Sequence, residues 1–215
     1  MYAVVTGDLV KSELFIRKRK QVLDLLNTAL RELEDVRQGE VWVSDIHRGD
    51  AFQIVTNDAE QALRIALFMR ARLMQHSVEG RVLEARLAVG IGGIQYLDRN
   101  NMAESDGQAF RLSGRSLEEM TPYRRLVMST SDEELNRVLQ VVSALIDAVS
   151  ARWSREQAAA VSHWVFGGTQ AAVADALGIS QPAVHQRLQR AGHFALDICL
   201  KQFKSVVGYY KLENK

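Results

Sequence analysis

The 215-residue sequence predicts an α+β fold, in which a sheet-containing part is followed by an all-helical part. Short β-branched and apolar runs, bounded by Gly, Asp and Asn, occur up to about residue 130 and predict strands. From residue 131 onward, apolar residues recur at the three- and four-residue spacing of amphipathic helices. We therefore expect two domains, at residues 1–130 and 131–215.

The first domain is predicted to alternate strands and helices in the order β-α-β-β-α-β. The expected elements are a strand at 2–6, a helix capped by Ser12 and ended by Gly39, a hairpin of 41–43 and 51–55 around Gly49-Asp50, a helix from Asn57 or Asp58 to about Gln75, a strand at 81–94, a loop at 97–106, a helix at 110–120 and a strand at 125–129. This order is that of a split βαβ, or ferredoxin-like, palm domain.

In the second domain, two sequence patterns predict the starts of helices that precede residues 169–190. Ser131 with Glu134, and Ser154 with Gln157, have the spacing of capping boxes. Two further helices and a long one ending near Leu212 are expected to follow.

Composition sets limits on the environment and the partners of the chain. Lys and Arg number 27 against 26 Asp and Glu, so net charge argues neither for nor against nucleic acid. The single cysteine, Cys199, excludes an intramolecular disulfide. No signal peptide is visible and no apolar run approaches the ~20 residues of a membrane span, so we expect a cytoplasmic protein without a membrane partner.

Residues 169–190 have the pattern of a helix-turn-helix. Thr169 is placed to cap the first helix, and Gly178 stands where the turn requires a positive φ. Ser180 is placed to cap the second helix, with Pro182 in its first turn. An αα-hairpin that only packs a core is the structural alternative.

The second of these helices is predicted to have an inward and an outward face. Val184 and Leu188 face inward at a spacing of four residues, which leaves Gln181, Ala183, His185, Gln186 and Gln189 facing outward. Glutamine suits adenine, and arginine suits guanine or phosphate. The candidate DNA-binding residues are Thr169, Ser180, Gln181, His185, Gln186, Arg187 and Arg190.

Residues 169–190 resemble the helix-turn-helix of sigma-factor region 4 and of many bacterial repressors. The resemblance implies double-stranded DNA as a partner, with the second helix in the major groove. Beyond it, an apolar stripe suits either the core or the interface of a homodimer, since such proteins usually bind paired half-sites. The stripe consists of Phe194, Ile198, Phe203, Val206 and Val207.

Two aspartates of the first domain are candidates for a metal site. Asp8 follows the first strand and Asp50 lies in the hairpin turn, so the split βαβ topology is expected to bring them together. Paired carboxylates suit Mg²⁺ or Mn²⁺ with a nucleotide, and nearby cations could hold its phosphates. These cations are Lys11, Arg48, Arg111 and Arg115. The structural alternative is an ordinary Gly-Asp turn and a helix-capping aspartate.

Several motifs of the first 120 residues resemble class III nucleotidyl cyclases. The motifs are Gly7-Asp8-Leu9-Val10, Arg48-Gly49-Asp50-Ala51-Phe52 (also similar to the hairpin of GGDEF diguanylate cyclases), Arg86–Gly93 and Gly107–Arg115. The resemblance implies metal-binding roles for Asp8 and Asp50 and a transition-state role for Arg115. The family's base-reading Asp is Gln108 here, its ribose-positioning Asn is Arg111, and segment 41–47 has no lysine. This departure suits nucleotide binding without efficient cyclisation, or a changed substrate.

The opening Val-Thr-Gly-Asp-Leu-Val-Lys-Ser, combined with the C-terminal helix-turn-helix, also resembles the SatD family of small bacterial proteins. The leading hypothesis is a DNA-binding transcriptional regulator with a cyclase-like sensing or dimerisation domain. The alternative is a divergent metal-dependent nucleotidyl cyclase or nucleotidyltransferase that carries a helix-turn-helix. A protein-interaction module that binds neither DNA nor nucleotide is the third hypothesis.

Overall fold

The computed structural model describes residues 1–36, 41–47, 50–99 and 101–213. The strands are β1 (Tyr2–Leu9), β2 (Val41–His47), β3 (Ala51–Thr56), β4 (Ser77–Val78), β5 (Arg81–Val82), β6 (Ala85–Gly92), β7 (Ile94–Tyr96), β8 (Asp106–Gly107) and β9 (Leu126–Ser129). The α-helices are α1 (Arg19–Val36), α2 (Ala62–Met74), α3 (Gln108–Glu118), α4 (Glu133–Ser150), α5 (Arg155–Trp164), α6 (Gln170–Leu177), α7 (Gln181–Arg190) and α8 (His193–Glu213). Short 3-10 helices occupy Ser12–Lys18, Ala59–Gln61 and Met102–Glu104.

The main sheet confirms the predicted α+β fold with a split βαβ palm. Its strand order is β2-β3-β1-β6-β9. β1 lies between β3 and β6 and is antiparallel to both, as the ferredoxin-like arrangement requires. β9 adds a fifth strand, parallel to β6, at the edge of the sheet.

Alternation along β1 divides its side chains between two apolar layers. Ala3, Val5 and Leu9 belong to the large core that also contains the buried faces of α1 and α2. Val4 points to the opposite face and packs with Ala109 and Phe110 of α3. The palm therefore has helices on both faces of its sheet.

Close approach of α3 to the sheet depends on a glycine. A Cβ atom at Gly90 of β6 would lie 2.2 Å from the carbonyl oxygen of Ala109. The missing side chain lets the helix backbone rest on the strand. A buried hydrogen bond of 2.8 Å between the hydroxyls of Thr6 and Ser113 fixes the same contact.

Three local predictions for the palm and its boundary are wrong in detail. Ser12 begins a 3-10 helix whose cap position is Lys11, and α1 starts only at Arg19. The strand predicted at 81–94 is divided into β5, β6 and β7. Asp132, not Ser131, caps α4 by accepting a hydrogen bond from the Leu135 amide, because the Ser131 hydroxyl bonds the Tyr210 hydroxyl at 2.6 Å.

The helices after β9 pack directly on the palm. α5 lies against α2, where the Arg64 guanidinium donates a hydrogen bond to the Val165 carbonyl oxygen. Arg70 of α2 forms a buried ion pair of 2.7 Å with Asp147 of α4. One continuous apolar cluster includes residues of both parts. The division at residue 130 therefore remains a prediction about sequence organisation.

Candidate functional site

The segment 169–190 forms two short helices joined by a tight turn. The residues predicted to cap these helices and to form the turn do so. Thr169 caps α6 by accepting a hydrogen bond of 3.2 Å from the Ala172 amide. Gly178 ends α6 with φ 62° and ψ 36°, the left-handed conformation that glycine adopts without strain. Ser180 then caps α7 by accepting a hydrogen bond of 3.4 Å from the Ala183 amide, so that only residues 178–180 separate the two helices.

The inner side of α7 is fixed by apolar packing. Val184 and Leu188 are 0% and 1% exposed and belong to the same core as Val173 and Ala174 of α6. At the end of α7, the indole nitrogen of Trp153 donates a hydrogen bond of 2.9 Å to the Ala191 carbonyl oxygen. Because α5 and α6 pack against its inner side, α7 has a fixed position from which its outer side chains point away from the core.

The outer side of α7 is polar, exposed and free of acidic residues. Its exposed residues are Gln181, Pro182, His185, Gln186, Gln189 and Arg190. Arg187 and Ala183 are half-buried at the margins of this face. The His185 ring nitrogen Nδ1 lies 3.4 Å from the Gln170 amide nitrogen of α6, so both helices contribute to the surface. Hydrogen-bonding amides next to arginines can bind both bases and phosphates.

In the palm, Asp8 is held by an arginine of the neighbouring strand. The register places Asp8 opposite Arg86 of β6, and the Arg86 Nε donates to one carboxylate oxygen at 2.9 Å. A terminal nitrogen of the same guanidinium donates to the other oxygen, so the contact is bidentate. The hydrogen bonds that Arg86 donates to the Asp8 carboxylate raise the pKa of Arg86 above its ordinary value.

Asp50 lies on the other side of the sheet from Asp8. The Leu9 amide donates a hydrogen bond of 3.3 Å to the Asp50 carbonyl oxygen, so the backbones are adjacent. Ala51, the neighbour of Asp50, is the residue that lies opposite Asp8, and Asp50 itself lines a cavity of about 250 Å³ with Leu9, Phe15 and Val22 on the α1 side. Asp8 shares the face of Thr6, which contacts α3, because residues two apart point the same way in a strand.

The two predicted metal ligands therefore do not converge on one point. Within residues 1–36, 50–99 and 101–213, no group of three or more His, Cys, Asp and Glu side chains is arranged to hold a metal ion. These described residues do not fit a two-metal site, and the metal prediction gains no support from the geometry.

The remaining palm candidates are dispersed around β1 and α3. Lys11 is exposed and adopts a left-handed conformation, with φ 55°. The Gln108 side-chain oxygen accepts a hydrogen bond of 3.4 Å from the Gly93 amide. Arg111 is paired with Asp106 at 2.6 Å, whereas Arg115, one turn further along α3, is exposed. Arg48 lies outside the described residues.

Two groups of ion pairs were not predicted from the sequence. One is the pair of Asp8 with Arg86, and the other surrounds Asp147, which contacts Arg70 and Arg124. Their partners are separated by between 23 and 78 positions along the chain. The strand register alone could have indicated the first pair, and no local pattern indicates the second.

Comparisons with known proteins show a likeness to solved structures and none to known sequences. No protein-family model matches the chain, and no curated protein sequence matches it. The chain is similar to the crystal structure of the guanylyl cyclase Cya2, with 18% sequence identity and a TM-score of 0.43, over 60% of this chain and 74% of that one. Across the described residues, every helix is too short or too polar to cross a membrane.

Proposed function

We propose that this protein binds double-stranded DNA through α7 and acts as a transcriptional regulator. The observation that carries the proposal is the exposed, acid-free face of a helix whose opposite side is fixed in the core. A helix that enters the major groove needs such a surface, with its N-terminal residues directed at base edges.

The chemistry of this face suits both parts of DNA recognition. Gln181 and Gln186 carry amides of the kind that can form paired hydrogen bonds to adenine. Arg187 and Arg190 supply positive charge for guanine or phosphate. The hydroxyls of Thr169 and Ser180 stand at the exposed starts of α6 and α7, where backbone amides favour phosphate.

The test is to select preferred sequences from random duplexes and to measure affinity by fluorescence anisotropy. Replacing Gln186 or Arg190 by Ala should each weaken specific binding by ~1–3 kcal/mol if the side chain contacts a base. Gln140→Ala and Arg137→Ala are matched controls, since both positions are exposed on α4. Unchanged affinity in both α7 variants would exclude this face as the DNA-binding surface.

We further propose that the palm, residues 1–130, serves the helical domain, residues 131–215, as a sensing or dimerisation domain. A nucleotide ligand is favoured by the arginine pair one turn apart on α3, where Arg115 is exposed and Arg111 is held by an exposed Asp106. An enzymatic role with Mg²⁺ or Mn²⁺ has less support. The Asp8 carboxylate is bound by the Arg86 guanidinium, and Asp50 lies on the opposite face of the sheet.

Titration with ATP and GTP, with and without Mn²⁺, distinguishes these roles of the palm. Binding that is lost in Arg115→Ala, without product formation, would support a sensor. Turnover that disappears in Asp8→Asn would instead establish the enzyme. The absence of any binding would leave the palm with a scaffolding role.

A further inference from the structure

α4 presents a row of exposed apolar side chains that the proposed DNA-binding function does not use. Val138, Val141 and Leu145 are 54%, 60% and 59% exposed, and Ala148 is exposed as well. They are separated by three, four and three residues, the spacing of a heptad seam. The buried side of α4 is formed by other positions, including Leu139 and Ile146, so the row points away from the core.

Charged residues of opposite sign stand at the two ends of this row. Glu134 precedes Val138 by four residues on α4, and Arg152 follows Ala148 by four residues, in the turn after α4 ends at Ser150. Positions 134, 138, 141, 145 and 148 thus form one seam on α4, which begins with an acidic residue and is followed, two residues after the helix ends, by the basic Arg152. Glu134 also pairs with Arg137 at 2.7 Å, but both side chains are well exposed and such a pair stabilises little.

Each end of α8 lies near an end of α4. A Cβ atom at Gly192 would lie 2.8 Å from the side chain of Val149, so α8 begins beside the end of α4. At the other end, the Tyr210 hydroxyl bonds the Ser131 hydroxyl, which makes the two helices antiparallel neighbours. Phe194 and Ile198, 78% and 45% exposed, lie on the side of α8 opposite its buried residues.

We propose that this face binds a second copy of the chain, with the two α4 helices antiparallel about a two-fold axis. Such an axis between positions 141 and 145 pairs Val141 with the partner's Leu145. It also pairs Val138 with Ala148, and Glu134 with Arg152. Every position of the seam then meets a complementary one, as an isologous interface requires. In a parallel pairing, by contrast, Glu134 would meet its own copy and Arg152 its own copy.

The residues of this face suit such an occupant. Val138, Val141 and Leu145 of α4, with Phe194 and Ile198 of α8, are all between 45% and 78% exposed. Grouped exposed hydrophobic side chains on a monomer commonly mark an interaction site. The proposal does not require DNA binding, although a dimer would present two copies of α7.

The experiment is to measure the mass of the full chain in solution over a range of concentrations, by size-exclusion chromatography with light scattering. We expect a species of twice the 24.1 kDa chain mass. Leu145→Asp should raise the dimer Kd about 100-fold or more, because it places unpaired carboxylates in the interface. Gln140→Asp, at an exposed position outside the seam, should leave the Kd unchanged. Circular dichroism checks that both variants remain helical.

Charge reversal tests the antiparallel register separately. Glu134→Arg or Arg152→Glu alone should raise the Kd by roughly tenfold, and the double variant should bring it back towards the wild-type value. A monomer at every concentration, or equal effects of Leu145→Asp and Gln140→Asp, would overturn the interface. A double variant that is no better than either single one would overturn the register. Neither result would bear on DNA binding by α7, which anisotropy measures independently.

Discussion

At the scale of single residues, Asp147 connects three parts of the protein. Its carboxylate accepts hydrogen bonds from Arg70 of α2 at 2.7 Å and from the Arg124 Nε at 3.0 Å. The backbone amide of Arg125, just before β9, donates to it at 3.0 Å as well. Burial lowers the pKa of Arg70, and the charge and hydrogen bond of Asp147 oppose that effect. The carboxylate therefore compensates a cation that is only 3% exposed.

We expect Asp147→Asn to lower the free energy of unfolding by ~3–5 kcal/mol, because it leaves a buried charge without its counter-ion. Urea unfolding followed by circular dichroism measures the change. Asp197→Asn is the matched control, since Asp197 pairs with the exposed Lys201 on α8 and should contribute less than ~1 kcal/mol. If the two substitutions have equal effects, the buried network does not stabilise the fold in this way.

At the scale of elements, the contact of α3 with β6 depends on the absence of a side chain. A Cβ atom at Gly90 would meet backbone atoms of two α3 residues, the Ala109 carbonyl oxygen at 2.2 Å and the Ser113 amide nitrogen at 2.6 Å. Backbone atoms cannot move aside as a flexible side chain can. A methyl group here would have to displace the whole helix.

Gly90→Ala should therefore destabilise the protein by ~1–3 kcal/mol, the usual range for overpacking. Gly93→Ala tests the same substitution three residues further on, where a Cβ atom would have nothing within 4 Å. We expect little change in its free energy of unfolding, measured in the same urea titration. Similar losses at both positions would show that the cost comes from the backbone conformation of the strand, not from α3.

At the scale of the whole molecule, the palm and the helices after it share one apolar core. Residues of β1, α1 and α2 belong to the same cluster as those of α5, α7 and α8. The buried ion pair of Arg70 with Asp147 crosses the predicted boundary at residue 130. Elements that share buried contacts tend to unfold together.

We expect thermal unfolding of the full chain to be a single transition. Because Trp42 belongs to the palm, a Trp42→Phe variant is used, in which tryptophan fluorescence reports on the helical part through the buried Trp153 and Trp164. Far-ultraviolet circular dichroism reports on the whole chain. The two probes should give the same midpoint. Two separate transitions would instead support independent domains at 1–130 and 131–215.

Features set by near neighbours in the chain could be predicted from the sequence. The caps at Thr169 and Ser180, the left-handed Gly178 and the inward side chains of α7 are all as expected. Each depends on contacts within about four residues, so the local sequence contains both partners. The predicted succession of strands and helices along the chain also has the split βαβ order that the sheet shows.

By itself, then, the sequence determined the periodicity of each element, the turn of 169–190 and the outward polar face of α7. Only the tertiary structure decided that Arg86 binds Asp8 and that Asp50 lies on the opposite face of the sheet. It also decided that the Ser131 hydroxyl bonds the Tyr210 hydroxyl and does not cap α4. It also divided the α8 stripe, burying Phe203 and Val207 and exposing Phe194 and Ile198. The physical reason is distance along the chain: Asp8 and Arg86 are 78 residues apart, so strand register and helix packing, not local propensity, select their contacts.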